Sequence, residues 1–465
     1  MHRESVNPLF GRRAFLRAGA LGVAGITLSD VLQLESLAGV KSSSKAVINV
    51  HLDGGPPQMD LIDPKPHAPR EQRGEFESIS TAVPGLHLTE LMPKMAKSAN
   101  KFAFIRSLVG AAGRHDAFQC QSGFGFKDLQ GIGGRPALGC VATHMLGKPT
   151  DPMPTFIDLM QGRPLARNSA RPGFLGPAFK AFRPDLSHLF KRELEPGMQE
   201  ELARLGSNHT LQLELSKGLS VNRLEGRMLL AKDFDLLRRS VDRSGSMEAL
   251  DKFSQQALSI LTSGKVAKAL DLDSEDPKVV DKFSPRLKPV DAAHYTTEGP
   301  NAARKFLLAR RMIEAGARVV SISLSDFDTH GKNFHRMRLL GPLLDHALDA
   351  LVSDLEERGM LDDVMIIAWG EFGRTPKINA KAGRDHWPRV AMGIMAGGGI
   401  NGGQVIGSTD KYAAEATSEP IHYQDVIATL YQHLGIDAQN VTLTDTTGRP
   451  QYLVDVGAPI GRLFA

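Results

Sequence analysis

Two strand-like runs, "RVVSISL" (318–324), rich in valine, isoleucine and leucine, and "VMIIAW" (364–369), apolar throughout, are separated by a stretch of helical periodicity. A strand with one wet face alternates apolar and polar side chains; a run that does not alternate belongs in a sheet covered on both faces. The intervening segment repeats Leu340, Leu344, Ala347, Leu348, Leu351 and Leu355 at helical spacing and stops at Gly359. Upstream, "AARKFLLARRMIEAG" sets Phe306, Leu307, Ala309, Met312 and Ile313 on one helical face, with Gly316 as the stop. Downstream, "HYQDVIATLYQHLG" reads as a further helix closed by Gly435. Near the start, "AVINVHL" is a buried strand halted at Asp53–Gly54–Gly55, and "FAFIRSL" (102–108) is a second short one. Strands alternating with helices in this way predict an α/β fold, a parallel sheet flanked by helices on both faces.

The bulk numbers narrow the function classes. A length of 465 residues suits a large α/β unit, and 42% hydrophobic with 23% charged residues supports a globular core. A net charge of +4 leaves no electrostatic footprint for nucleic acid. Two cysteines, Cys120 and Cys140, exclude a disulfide scaffold and a multi-cysteine zinc site, and leave open whether the two pair with each other. The stretch 165–300 has helical segments such as "RLEGRMLLAKDFDLLRRSV" and little strand character, which predicts a helix-rich insertion. At the N-terminus, "RRAFLRAGALGVAGITL" joins Arg12–Arg13 to an apolar run from Ala18 to Leu28, too short to span a bilayer but suited to a signal peptide. It resembles a twin-arginine export signal, used for proteins exported already folded. Residues 1–40 are therefore read as that signal, 45–465 as the functional domain, and the destination as the periplasm or the exterior. No other stretch is read as a transmembrane span.

In an open α/β sheet, ligands bind outside the carboxyl ends of the strands. Three strand ends here carry acids: Asp53 after the first, Asp326, Asp328 and His330 after "RVVSISL", and Glu371 after "VMIIAW". Asp385–His386 follow in "GEFGRTPKINAKAGRDHWP" (370–388). Each has an ordinary reading: Asp53 as a turn or cap, "DTHG" as an Asx-turn, Asp385–His386 as a surface pair beside Trp387. Like charges gathered on one edge repel unless a cation holds them, and carboxylates with imidazoles suit zinc, manganese or iron, a more oxygen-rich set calcium or magnesium. Arg374 and Arg384 flank the same loop; either can grip an anionic substrate, or pair with Glu371 and Asp385, the latter being favoured for Arg384. "GGGINGG" (397–403) matches a dinucleotide fingerprint, but "QVIGSTD" follows it, with no helix to receive a pyrophosphate. His422, beside Asp425 at a helix start, reads as a cap or surface residue.

Taken together, "LDGGPPQMDLIDPKP", "RPGFLGPAF", "FDTHGKNF", "GEFGRTPKINAKAGRDHWP" and "GGQVIGSTD" resemble the DUF1501 family of exported bacterial proteins, in order from about residue 45 to the C-terminus. That family is grouped with the alkaline phosphatase-like fold of phosphatases, sulfatases and phosphoglycerate mutases. The resemblance implies a mixed, mostly parallel sheet with a metal centre at its carboxyl edge. By similarity Asp53 takes the first-strand ligand place, Asp328 and His330 the middle acid–histidine place, Asp385–His386 the late Asp–His place, and Glu371 a further ligand place.

One departure bears on mechanism. Hydrolases of this superfamily carry a Ser, Thr or modified Cys nucleophile at a helix start, ahead of a small-residue–Gly pair. Setting Ser122–Gly123 as that pair puts Arg114–His115 in the nucleophile position, where there is neither hydroxyl nor thiol. Cys120 is followed by "QSGF", not the context of a cysteine converted to formylglycine. Ser107, Ser122 or water are left as attackers, with His115 as ligand, acid or base and Arg374 as the anion-steadying group. The expectation is an exported metal-dependent hydrolase acting on a phosphate or sulfate ester, small or polysaccharide-borne, with zinc, calcium, magnesium or manganese. The rival is a non-catalytic protein that binds an anionic glycan or another partner through the same edge.

Overall fold

Among the described residues, seven strands of the main sheet run in one direction and one runs against them. In a computed structural model the described residues are 45–161, 170–186, 189–190, 259–260, 263–286, 298–299 and 301–465. The main sheet holds β1 (Ala46–Leu52), β2 (Phe102–Val109), β3 (Phe156–Asp158), β4 (Val319–Leu324), β5 (Val364–Trp369), β6 (Ala391–Gly397), β7 (Gln404–Ile406) and β8 (Ile421–His422). Their order is β7-β2-β6-β5-β1-β4-β3, and β8 pairs with the end of β2. β6 alone is antiparallel, to both β2 and β5. The expected α/β architecture, a mostly parallel mixed sheet between helices, is what the chain forms.

Alternation along β1 explains why both faces are covered. Ala46, Ile48, Val50 and Leu52 join a core with α2 (Arg304–Glu314) and α3 (Asn333–Glu357). Val47 joins a second core with α1 (Leu138–Leu146) and α4 (Tyr423–His433). β5 divides likewise: Val364, Ile366 and Ala368 pack into the first core, Met365, Ile367 and Trp369 into the second. Each strand residue therefore removes its side chain from water, and both strands are buried along their whole length. The helix stops act as expected, with Gly316, Gly359 and Gly435 all at positive φ.

Two expectations fall mainly on residues outside those described. The twin-arginine segment, residues 1–40, lies wholly there. Most of the helix-rich stretch 165–300 does too; its described parts include helices Lys265–Leu270 and Pro277–Lys282. Lys45–Ala465 forms one compact unit. Among the described residues no helix is long and apolar enough to cross a membrane. The glycine run after β6 leads into strand β7, not a helix, in keeping with the reading that no helix follows it to receive a pyrophosphate.

Candidate metal centre

The carboxyl ends of β1, β4 and β5 lie side by side because β1 pairs in parallel with both neighbours, His51 opposite Ser323 and Trp369. Asp53 and Glu371 therefore leave adjacent strands at the same level. The turn after β1 must then pass very close to the turn after β4. At Gly54 (φ +105°) an added Cβ would sit 2.3 Å from the Asp328 amide nitrogen, so only glycine allows this approach. β2 ends at the same edge and delivers His115. β6 is antiparallel, so its entrance, not its exit, brings His386 there.

Asp328 is the hub of the outer part. His115 Nε2 lies 3.2 Å from its Oδ2, while His330 Nε2 and His386 Nε2 lie 3.2 and 3.5 Å from its Oδ1. Arg374 Nη2 donates to the same Oδ1 at 2.7 Å. Burial would raise the Asp328 carboxyl, but the imidazoles of His115 and His386 and the Arg374 charge hold it far below the ordinary carboxylate range. His330 is steadied from behind: its Nδ1 meets Asp385 Oδ1 at 2.6 Å, and Asn379 donates to that same oxygen at 3.2 Å. Asp385 thus touches His330 rather than Asp328. Asp326, with φ +79°, belongs to neither ligand group of the centre.

Glu371 links the outer part to a deeper one. Its Oε1 accepts from the Gly54 amide at 3.0 Å and meets His115 Nδ1 at 2.9 Å. Burial would pull the His115 imidazole down, but its hydrogen bonds to Asp328 and Glu371 and their charges raise it to about 9. Glu371 Oε2 faces His51 Nε2 at 3.6 Å, and that nitrogen lies 3.9 Å from Asp53 Oδ1. Two sets of side chains can therefore each hold a cation: His115, Asp328 and His386; and His51, Asp53 and Glu371. In each, the ligating atoms lie within 4.8 Å of one another. The fit is supported by buried polar atoms that no hydrogen bond satisfies among the described residues: both His51 ring nitrogens, Glu371 Oε2 and His386 Nε2. Imidazole nitrogen mixed with carboxylate oxygen is the donor chemistry of a divalent transition metal.

Both flanking arginines are interior residues. Arg374 is fully buried and donates from Nε to Gly55 O (3.0 Å), from Nη1 to Arg384 O (2.9 Å), and from Nη2 to Gly54 O as well as Asp328. No face of its guanidinium reaches solvent. Arg384 does not pair with Asp385: it forms a two-bond pair with Asp60, 2.9 Å for each bond, with both side chains fully buried. The partner was hidden because Asp60 stands in "PPQMDL", a stretch that reads as part of the turn after β1.

Of the expected site residues, Asp53, His115, Asp328, His330, Glu371, Arg374, Asp385 and His386 all lie at this edge. Sequence reasoning missed His51, concealed within an otherwise apolar strand. A signal was present: Asn49 and His51 stand at alternate positions of β1, and Asp53, two further on, directly follows it, so the three make a polar stripe at a two-residue spacing. Asp116 was missed too; it is buried against the site, and burial pushes its carboxyl up to about 6. The candidate hydroxyls are engaged elsewhere, Ser107 Oγ with Glu419 O at 2.6 Å and Ser122 Oγ with Phe118 O at 2.9 Å. Cys120 and Cys140 are both free and buried, and burial raises the Cys120 thiol well above its ordinary value. His422 caps α4, its amide donating to Asp425 at 2.7 Å.

Comparison with known proteins gives one family and several distant folds. The family described as protein of unknown function (DUF1501) matches over residues 44–464. No curated protein matches the sequence. Among solved structures, the PsFucS1 sulfatase from Pseudoalteromonas sp. is 12% identical with a TM-score of 0.35, over 88% of this chain and 72% of that one. The phosphonate monoester hydrolase SpPMH from Silicibacter pomeroyi is 11% identical with a TM-score of 0.38, over 91% and 77%. The lipoteichoic acid synthase LtaP from Listeria monocytogenes is 10% identical with a TM-score of 0.32, over 86% and 73%.

Proposed function

This chain belongs to the DUF1501 family, and we propose that it is a metal-dependent hydrolase of phosphate or sulfate esters. One observation carries the reading: side chains arriving from the ends of β1, β2, β4 and β5 and from the entrance of β6 converge on Asp328 and Glu371. Nothing in the packing of the sheet requires four imidazoles and three carboxylates in one place. Their mutual repulsion and desolvation are costly unless a cation offsets them.

The proposed ligand set is Asp53, Asp328, Glu371, His330 and His386, with Asp385 orienting His330 from behind. Zinc or manganese suits the mixed donors better than calcium or magnesium. A bound divalent ion supplies Lewis-acid polarisation of the ester oxygen and acidifies water. His115, held between Asp328 and Glu371, is placed to hold or move a proton at Nε2 or Nδ1. Arg374 acts as a positioning residue: it fixes the Asp328 carboxylate and the Gly54–Gly55 carbonyls, and it does not meet substrate.

The remaining parts of the reading rest on sequence. Residues 1–40 are proposed as a twin-arginine signal that hands the folded chain to the export machinery, with activity in the periplasm or outside the cell. Residues 45–465 are proposed as one alkaline phosphatase-like domain with a helix-rich insertion at about 165–300. The substrate class is an anionic ester, a small molecule or a charged polysaccharide. A second reading, a non-catalytic binder of an anionic glycan or partner, is favoured by one observation: the Ser107 and Ser122 hydroxyls are held by backbone carbonyls.

Purified mature protein, assayed for bound metal and for turnover of aryl phosphates and sulfates with added metals, separates the two. Turnover that falls at least 100-fold in Asp328→Ala, together with lost metal, supports the hydrolase. Metal content and turnover unchanged in both Asp328→Ala and His330→Ala would refute the site. Saturable glycan binding with metal but without turnover would favour the binder.

A further inference from the structure

We infer that His51 is a metal ligand: with Asp53 and Glu371 it forms a second, inner divalent-cation site, distinct from the group around Asp328 and joined to it through the two oxygens of Glu371. The inference rests on the metal-centre reading above and divides it.

The first argument is satisfaction. His51 is 0% exposed, Asp53 5% and Glu371 1%. Neither ring nitrogen of His51 has a hydrogen-bond partner among the described residues, and neither does Glu371 Oε2. The large majority of buried side-chain polar atoms find a partner, because water is not there to replace one, and here three such atoms from two residues face one another. Val50 and Leu52 turn into the core on the opposite face of the sheet, so the His51 imidazole shares its own face with Asn49 and Asp53, and it is buried there beside a carboxylate.

The second argument is distance. His51 Nε2 lies 3.6 Å from Glu371 Oε2 and 3.9 Å from Asp53 Oδ1. Both separations exceed those of a hydrogen bond between the same atoms, about 2.7–3.2 Å. They lie near the ligand-to-ligand edge of a tetrahedron around an ion with bonds of about 2.1 Å, which is roughly 3.4 Å. Side chains meant to pair would be closer, and side chains meant to repel would be further apart.

The third argument is the division of labour at Glu371. Oε1 is engaged by the Gly54 amide and His115, on the side of the outer group. Oε2 faces only inward, toward His51. One nitrogen and two oxygens from three buried residues suit zinc, manganese or iron, whereas calcium takes about six to eight oxygens. Burial of all three means the inner ion is shielded from chelators and exchanges more slowly than one at the half-exposed outer group.

The test counts ions in the full mature chain. Wild type, His51→Leu, His51→Gln and His386→Ala are loaded with zinc, gel-filtered and analysed by elemental mass spectrometry, with the cobalt-loaded forms read by visible absorption. Two ions per chain are expected in wild type and one in each variant, and the ion left in His386→Ala should resist chelator longest. Wild-type crystals measured at the zinc edge should show an anomalous peak among His51, Asp53 and Glu371, a result that does not depend on any variant folding. An unchanged ion count in both His51 variants, or an outer anomalous peak without an inner one, overturns the inner site and leaves the outer centre standing. A folded wild type that takes up no ion at all overturns the metal-centre reading itself.

Discussion

Replacing Arg384 by Met should destabilise the chain by about 3–5 kcal/mol, the cost of stranding one member of a buried ion pair. The pair with Asp60 has both side chains fully buried and two bonds of 2.9 Å. Asn333 donates to Asp60 Oδ2 at 2.7 Å and keeps the carboxylate in place after the arginine is gone. Arg384 also donates to Gln72 O at 2.9 Å, Thr375 O at 3.1 Å and Pro376 O, so the substitution leaves three carbonyls short of a donor. Unfolding entropy near 2.1 cal/mol/K per residue gives about 0.9 kcal/mol/K for a unit of this size, and hence a fall in Tm of about 3–6 °C. Urea unfolding of wild type, Arg384→Met, Asp60→Leu and the double variant makes the measurement. The double variant should cost less than the sum of the singles by about 1–3 kcal/mol, because it no longer buries an unpaired charge. If Arg384→Met lies within about 0.5 kcal/mol of wild type, the pair behaves as a solvent-screened one and the account of the loop as an internally pinned segment fails.

Gly54→Ala should lose about 2–4 kcal/mol in urea unfolding, since its Cβ would meet the Asp328 nitrogen at 2.3 Å with φ at +105°, and it should lose bound metal as the two turns separate. In metal-stripped protein, His115 is raised to about 9 by Asp328 and Glu371 against the opposing effect of burial. Its stabilisation is then complete below the ordinary value of 6.5 and disappears as pH rises through about 9. The urea midpoint of the chelated protein should fall across that window, and His115→Gln should remove the slope; a flat profile in the unmutated chain would contradict the assigned contacts. Burial raises the Cys120 thiol well above its ordinary value and pushes Cys140 up to about 12, so a thiol reagent should label neither in the folded chain and both in urea. Rapid labelling of Cys120 under native conditions would show that the segment burying it opens in the folded chain.

What was legible in the sequence were the features that repeat locally. Apolar runs between helical periodicities announce a covered parallel sheet, and acids placed just after such runs announce a ligand edge, so Asp53, Asp328 and Glu371 stood out. What local pattern cannot carry is which distant groups meet. Arg384 lies beside Asp385 in the chain yet pairs with Asp60, 324 positions away, because the turn after β1 folds under the loop after β5. Arg374 looks like a substrate-binding cation in a polar loop, but its bonds to Gly54, Gly55 and Arg384 make it part of the interior. His51 was hidden for the opposite reason: surrounded by valine and leucine it reads as core, and only its two-residue spacing from Asn49 and Asp53 gives the stripe away.

The loop from Gly370 to Pro388 joins the two ligand groups to the interior of the fold. Its first acid, Glu371, faces both ligand groups; its first arginine holds Asp328, its second is anchored on Asp60, and its last histidine completes the outer group. Glu371, Arg374 and His386 serve the site, Arg374 through Asp328, while Arg384 serves the loop. That arrangement separates two kinds of loss. A variant at Asp60 or Arg384 should lower stability first and metal affinity only as the loop loosens, while a variant at His386 should lower metal affinity with stability nearly intact once metal is removed from both proteins. Chelated wild type and chelated His386→Ala should therefore unfold at nearly the same urea concentration, and the metal-loaded pair should not. If the two chelated proteins differ by more than about 1 kcal/mol, His386 is holding the fold through contacts of its own, and its place in the ligand group must be given up.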